Sequence, residues 1–175
     1  MVLKKLCKYS QLNQINNLAY MIKINNYDIA DNKYILLDNG YFLQVGALIY
    51  RIRNDNLEFL LITSRGSGRW IIPKGWPIPK KSFSQAALQE AFEEAGVRGT
   101  SDTNPIGTYE YKKSDLLIKK NGKLCVYVFA VLYSHQEEKW PEKNQRLYEW
   151  VTVSEAIRRV NEPQLKNIFL NYKPH

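Results

Sequence analysis

Glu90, Glu93 and Glu94 stand three and four positions apart near the end of the stretch Gly75–Val97. On a helix that spacing puts all three carboxylates on one face, where like charges repel. A hard divalent cation removes the penalty, because Mg²⁺ takes oxygen ligands and commonly bridges carboxylates to a substrate phosphate. Glu90 and Glu94 share one helix edge and are the candidate metal ligands. The pattern points to a metal, a phosphorylated substrate and metal-assisted hydrolysis. A Glu-x-x-Glu-Glu helix taken alone is more commonly a solvated face, so its surroundings decide. Those surroundings are basic. Arg65, Arg69, Lys74 and Arg146 can hold polyphosphate oxygens, Arg in a bidentate fork and Lys as a point charge.

A helix is expected where the glutamates lie. Ser82 reads as an N-cap with Gln85 as its capping-box partner, the helix runs from Phe83 to Ala95, and Gly96 stops it. Its apolar face is expected to be Phe83, Ala87, Leu88, Ala91, Phe92 and Ala95, with the glutamates flanking it. Upstream, Phe42–Arg53 and Leu57–Thr63 read as a hairpin of strands around Asn54-Asp55-Asn56. Ser64–Arg69 reads as a loop carrying two cations, and Trp70-Ile71-Ile72 as a short strand stopped by Pro73. Pro77 and Pro79 hold the next segment extended. Downstream, Pro105–Lys112 reads as a strand, Asn121-Gly122 as a turn, and the nearly all-apolar Leu124–Tyr133 as a central strand covered on both faces. Tyr148–Val151 reads as a short strand. Ser154 is expected to cap a helix reaching Val160, and Pro163 to open the last one.

The chain has 175 residues, a length that suits one domain, and no repeats. Strands mixed with helices at this spacing indicate an α/β domain over residues 41–175, preceded by a partly ordered N-terminal extension over 1–40. The net charge of +8 favours anionic partners: phosphorylated small molecules, nucleic acid or a membrane surface. The two cysteines, Cys7 and Cys125, cannot staple a scaffold and suit a reducing compartment. No stretch reaches the length of a membrane span and no signal-peptide core follows the N-terminal lysines, so a cytoplasmic location without membrane contact is expected.

With Gly75, Glu90, Ala91, Glu93, Glu94, Gly96 and Val97 in register, the stretch resembles the signature of Nudix hydrolases. That signature is Gly, five residues, Glu, seven residues, Arg-Glu, an aliphatic, any residue, Glu-Glu, any residue, Gly, an aliphatic. Two positions depart: the signature's first Glu is Lys81 and its Arg is Gln89, two residues that pair in the family to steady the loop against the helix. Gly46–Arg51, Thr63-Ser64-Arg65, Trp70–Gly75 and Arg146 with Trp150 further resemble the diphosphoinositol polyphosphate phosphohydrolase branch over about residues 42–160. That resemblance implies a Nudix-like mixed β-sheet sandwiched between α-helices. It implies Mg²⁺ (or Mn²⁺) as cofactor, with the backbone near Lys74 and Gly75 completing the metal site. It makes Glu93 the residue that takes a proton from water, with Glu142 and Glu149 as other carboxylates able to serve, and gives phosphate contacts to Ser64, Arg65 and Arg146. The branch is basic where this chain has Gln44, and its Pro-Gly-Gly-Gly loop is here Pro73-Lys-Gly-Trp76.

The expected function is Mg²⁺-dependent hydrolysis of a pyrophosphate bond in a dinucleoside polyphosphate, a nucleoside diphosphate derivative or a diphosphoinositol polyphosphate. A weakly catalytic module of the same fold that binds a phosphorylated ligand, and one acting on an RNA 5′ end, are the competing readings, nucleic acid being the less favoured partner. By family analogy the chain is a monomer or a homodimer. Trp76 can stack on a base or cover its loop, Trp140 and Trp150 read as packing residues, Arg146 can stack on an aromatic ring, and His135 has no evident partner.

Overall fold

The computed structural model describes residues 34–112 and 122–174. Most of the expected N-terminal extension lies outside the described residues, and so do Asn121 of the expected turn and the rest of 113–121. From Tyr34 onward the extension is part of the domain: Ile35 is buried, and its carbonyl accepts a hydrogen bond from Leu43 N–H at 2.8 Å.

The expected elements occur in the expected order, with β4 and β5 added: β1 Phe42–Arg53, β2 Asn56–Thr63, β3 Trp70–Ile71, β4 Lys74–Gly75, α1 Phe83–Ala95, β5 Val97–Ser101, β6 Gly107–Lys112, β7 Lys123–Gln136, β8 Tyr148–Thr152, α2 Val153–Arg159 and α3 Pro163–Asn171. Asn54 and Asp55 both take positive φ, so the β1–β2 connection is the two-residue turn whose twist matches a hairpin. The sheet is mixed. β1 and β7 run parallel through its centre, from Phe42↔Leu124 to Tyr50↔Leu132, and the other pairings are antiparallel. β7 is long enough to serve two partners on its far side, β6 with its first half and β5 with its second.

Both faces of the central strands are covered, as their continuous hydrophobicity requires. Val45, Ala47, Ile49, Phe129 and Val131 pack under α1 through Ala86, Ala87, Ala91 and Ala95. Leu48, Tyr50, Val126 and Val128 face the other way, against Ala156 of α2 and Leu165 and Phe169 of α3. Each layer buries apolar surface at roughly 25 cal/mol per Å². The result is the sandwich expected from the resemblance.

Four local expectations are corrected. β5 was not foreseen, because Val-Arg-Gly-Thr-Ser carries one large apolar residue; it is an edge strand held by β7, with a bulge between Arg98 and Gly99. β6 starts at Gly107 and leaves Pro105 outside. Thr152, not Ser154, caps α2: its side chain accepts from Glu155 N–H, and Ser154 lies inside the helix. Of the expected apolar face of α1, Ala87, Ala91 and Ala95 are buried and Phe83 and Leu88 pack half-buried against the core; the correction is that Glu94, expected to flank this face, is buried with it. Small residues let the helix approach the sheet closely, while the Phe92 ring lies under the Arg98 guanidinium at 3.6 Å.

Candidate active site

Helix α1 carries the acidic residues, and its ends are fixed by local chemistry. Ser82 accepts from Gln85 N–H while the Gln85 side chain accepts from Ser82 N–H, closing the capping box. Gly96 closes the other end with φ of 71°, and an added Cβ there would come within 2.5 Å of the Trp140 ring. Between these stops the carboxylates of Glu90, Glu93 and Glu94 reach a cleft of about 880 Å³.

Other segments complete that cleft. The loop after β2 folds on itself: Ser64 N–H donates to Arg69 O at 2.8 Å and the Ser64 and Ser67 hydroxyls lie 2.7 Å apart. The short β4 brings Lys74 and Gly75 against β1 at Gly46 and Val45. Glu142 and Arg146 come from the connection between β7 and β8, which is pinned to α1 by a hydrogen bond from Glu142 N–H to Glu93 O at 3.1 Å. Tyr111 of β6 donates its hydroxyl to Gln44 at 2.6 Å and lies 5.1 Å beneath the Lys74 ammonium.

All nine residues expected in the site, Ser64, Arg65, Arg69, Lys74, Gly75, Glu90, Glu93, Glu94 and Arg146, line this one cleft. Their contacts differ from a set of free side chains awaiting a ligand. Glu94 is buried; one oxygen accepts from Lys74 N–H at 2.9 Å and the other from Arg146. Arg146 is 6% exposed and also donates to Glu142 at 2.6 Å and to Thr63 O at 2.9 Å. Among the described residues no ring stacks on it; Arg51 covers Trp150 instead, at 4.0 Å. Arg65 is 60% exposed at the rim, 3.3 Å from Glu142, and Arg69 meets Glu162 at 3.5 Å. Of the other carboxylates considered for proton transfer, Glu142 lines the cleft. Glu149 does not, and is held by Arg159.

The glutamate face is electrostatically costly. Burial, then the charges of Glu94 and Glu93, push the Glu90 carboxyl up to about 8, only partly offset by Lys74. Burial also raises Glu94, against the lowering effect of Arg146 and of Lys74 N–H. Glu90 lies directly over Gly75, where a Cβ would sit 1.9 Å from its nearer oxygen. The glycine therefore admits the carboxylate to the loop backbone. Among the described residues no three acidic, histidine or cysteine side chains already converge as a closed metal cage. The donor set nonetheless fits a hard cation: it is all oxygen, carries excess negative charge, and Glu94 retains lone pairs beyond its two hydrogen bonds.

Sequence reasoning missed Tyr111 and Glu162, both lining the cleft. Tyr111 arrives by strand pairing, which no local pattern announces. Glu162 precedes Pro163 at the mouth of α3, where an acidic residue is ordinary; its burial, at 8% exposure, is the unusual feature. Trp76 also lines the cleft, held edge-on by Tyr34 at 4.7 Å. His135 is exposed beside Glu137, and Trp140 and Trp150 are packing residues.

The family model for the NUDIX domain matches residues 42–172, three quarters of the chain. The chain belongs to the NUDIX family. Among curated NUDIX relatives, "Nudix hydrolase 21, chloroplastic" of Arabidopsis thaliana is 37% identical over 123 residues, covering 67% of this chain and 59% of that protein. The chain thus spans less than two thirds of that relative's length. "Diphosphoinositol polyphosphate phosphohydrolase 3-alpha" of Mus musculus is 28% identical over 121 residues, covering 68% and 69%. The crystal structure of C. elegans Ap4A hydrolase superposes with a TM-score of 0.55 at 20% identity, covering 74% of this chain and 94% of that one. The NUDIX domain of Shewanella oneidensis NrtR, solved with ADP ribose, gives 0.55 at 18%, covering 88% and 95%. These structures share the NUDIX fold with this chain. No helix among its described residues is long and apolar enough to cross a membrane.

Proposed function

We propose that this NUDIX chain hydrolyses a pyrophosphate bond in a phosphorylated small molecule with the help of Mg²⁺ or Mn²⁺. The observation that carries the reading is the meeting, in one cleft, of a buried carboxylate face with Ser64, Arg65, Arg69 and Lys74. Glu90 and Glu94 would hold the cation, with the backbone at Gly75 beside them. The bound cation supplies charge neutralisation on the phosphoryl oxygens and a more acidic water. Glu93 accepts the proton from the attacking water. The exposed Arg65 and the Arg69 and Lys74 cations bind the phosphate oxygens, and Ser64 holds the loop that presents the two arginines. Arg146 orients Glu94 and favours its charged form against the burial that raises it, and reaches phosphate only if it leaves Glu94.

The substrates considered are dinucleoside polyphosphates, nucleoside diphosphate derivatives and diphosphoinositol polyphosphates, the relatives' names supporting the first and last. The Gln44–Tyr111 pair and Trp76 add uncharged hydrogen-bonding and aromatic surface to the cleft beside Lys74 and Lys112, which suits a substrate that carries an uncharged end as well as phosphates. The cytoplasmic placement rests on cysteine usage, while several plant relatives are chloroplastic or mitochondrial by name. Phosphate release from a substrate panel by Glu93→Gln and Glu94→Gln tests the reading, and unchanged rates in both variants would sink it. A binding-only module is the second reading. It draws on the Arg146–Glu94 contact, which holds a candidate ligand, and it wins if the protein binds such a compound tightly in Mg²⁺ yet releases no phosphate.

A further inference from the structure

We propose that Lys81, acting through the side-chain amide of Gln89, positions the Glu93 carboxylate, a relay that takes the place of the acid–arginine pair at these two signature positions. The inference rests on reading Glu93 as the proton acceptor.

Three observations carry it. The Lys81 ammonium donates to the Gln89 amide oxygen at 3.1 Å, and the Gln89 amide nitrogen donates to a Glu93 oxygen at 2.7 Å. Together they fix the orientation of the amide, since a cation faces its acceptor end and a carboxylate faces its donor end. Each bond polarises the next, so an amide with a cation on its oxygen is a stronger donor to Glu93 than an isolated one. The third observation is in the backbone. Lys80, preceding Lys81, has φ of 65°, a left-handed conformation that a lysine adopts at a cost. That turn, closed by Lys81 N–H on Ile78 O at 3.1 Å, redirects the chain so that Lys81 comes to lie over the helix.

Stability does not account for the arrangement. Lys81 is exposed, and a solvated lysine on a neutral amide contributes little to folding. The relay instead removes rotational freedom from Glu93. Gln89 and Glu93 are one helical turn apart, so the amide reaches the carboxylate without strain. In the family pattern the loop side chain is acidic and the helix side chain basic. Here the cation is on the loop and the helix side chain is neutral. Lys81 and Gln89 are positioning residues in this scheme, and neither touches substrate.

The test uses the full chain with Gln89→Ala, Lys81→Met, the double variant, and Lys81→Glu with Gln89→Arg. Loss of a hydrogen bond to a charged group predicts about a tenfold fall in kcat for Gln89→Ala, with KM within about twofold. Lys81→Met falls less. The double variant falls no further than Gln89→Ala, because Lys81 acts only through the amide. The charge-swapped pair recovers to within about threefold of the parent. A second readout needs no turnover. In a nitrogen–proton correlation spectrum, the Gln89 side-chain amide pair, assigned by its disappearance in Gln89→Ala, shifts in both Lys81→Met and Glu93→Gln. Unmoved Gln89 resonances in those two variants, or Lys81→Met and Gln89→Ala losses that multiply, would overturn the relay. A parent protein without hydrolytic activity would instead sink the proposed function, and the spectrum would still decide the relay.

Discussion

Gly75→Ala is the sharpest single perturbation the cleft offers. The new methyl carbon would sit 1.9 Å from one Glu90 oxygen, 2.3 Å from the carboxyl carbon and 2.6 Å from the other oxygen. To regain ordinary contact the carboxylate must retreat by about 1.5 Å. Misplacement of a reacting group by about 1 Å costs roughly 100-fold in rate, so kcat/KM should fall by about 100-fold or more. The fold should survive. The crowding is against the far end of a side chain, and overpacking of this kind costs about 1–3 kcal/mol. The assay is phosphate release on the best substrate of the parent, with Mn²⁺ affinity by calorimetry and Tm alongside. Glu90→Asp supplies a control, because it shortens the side chain by one methylene. In the Gly75→Ala background it should raise activity, although alone it should lower it. If Gly75→Ala retains kcat/KM within about threefold of the parent, or if Asp at position 90 gives no relief, Glu90 does not work where the cleft places it.

Three other outcomes follow from the same geometry. Arg146→Ala leaves the buried Glu94 without its cation, which should cost about 3–5 kcal/mol and lower Tm by about 6–20 °C; adding Glu94→Gln should recover part of the loss, and a drop under about 2 °C would refute the pairing. The pH dependence of metal binding has a definite sign. Glu90 is raised to about 8 in the folded chain, so between its unfolded value near 4.5 and about 8 the folded state holds the extra proton, and metal-free stability declines as pH rises through that window. Mg²⁺ competes with that proton, so the Tm gain from Mg²⁺ in thermal scans should grow between about pH 6 and pH 8.5 and lose its pH dependence in Glu90→Gln. Ser82→Ala removes the capping box of α1 and should cost about 1 kcal/mol, read as a Tm fall of about 2–4 °C without a change in KM.

The parts of the molecule legible in the sequence are those fixed by neighbours a few residues apart. The bounds of β1 and α1 follow from continuous hydrophobicity, from Ser82 and Gln85 at one helix end, and from Gly96 at the other. The register of the glutamates was legible for the same reason. What was not legible depends on distant partners. β5 is a strand only because β7 extends past β6 and offers it an edge. Glu94 lies in the buried face because Arg146, fifty-two positions later, and Lys74 N–H satisfy it. Position 81 and position 89 read as two losses, yet the folded chain joins them by a hydrogen bond. Tyr111 and Glu162 reach the cleft through strand pairing and helix docking that no local spacing encodes.

The central claim is that the carboxylate face of α1 works with the basic loop on a phosphoanhydride through a divalent cation. The most direct measurement is phosphate and pyrophosphate release from dinucleoside polyphosphates, nucleoside diphosphate derivatives and diphosphoinositol polyphosphates, by the parent chain and Glu90→Gln, in Mg²⁺ and in chelator. Release from at least one class that needs the cation and falls about 100-fold or more in Glu90→Gln is the predicted result. Tight binding without release from any class, or release that persists undiminished in chelator, would contradict it.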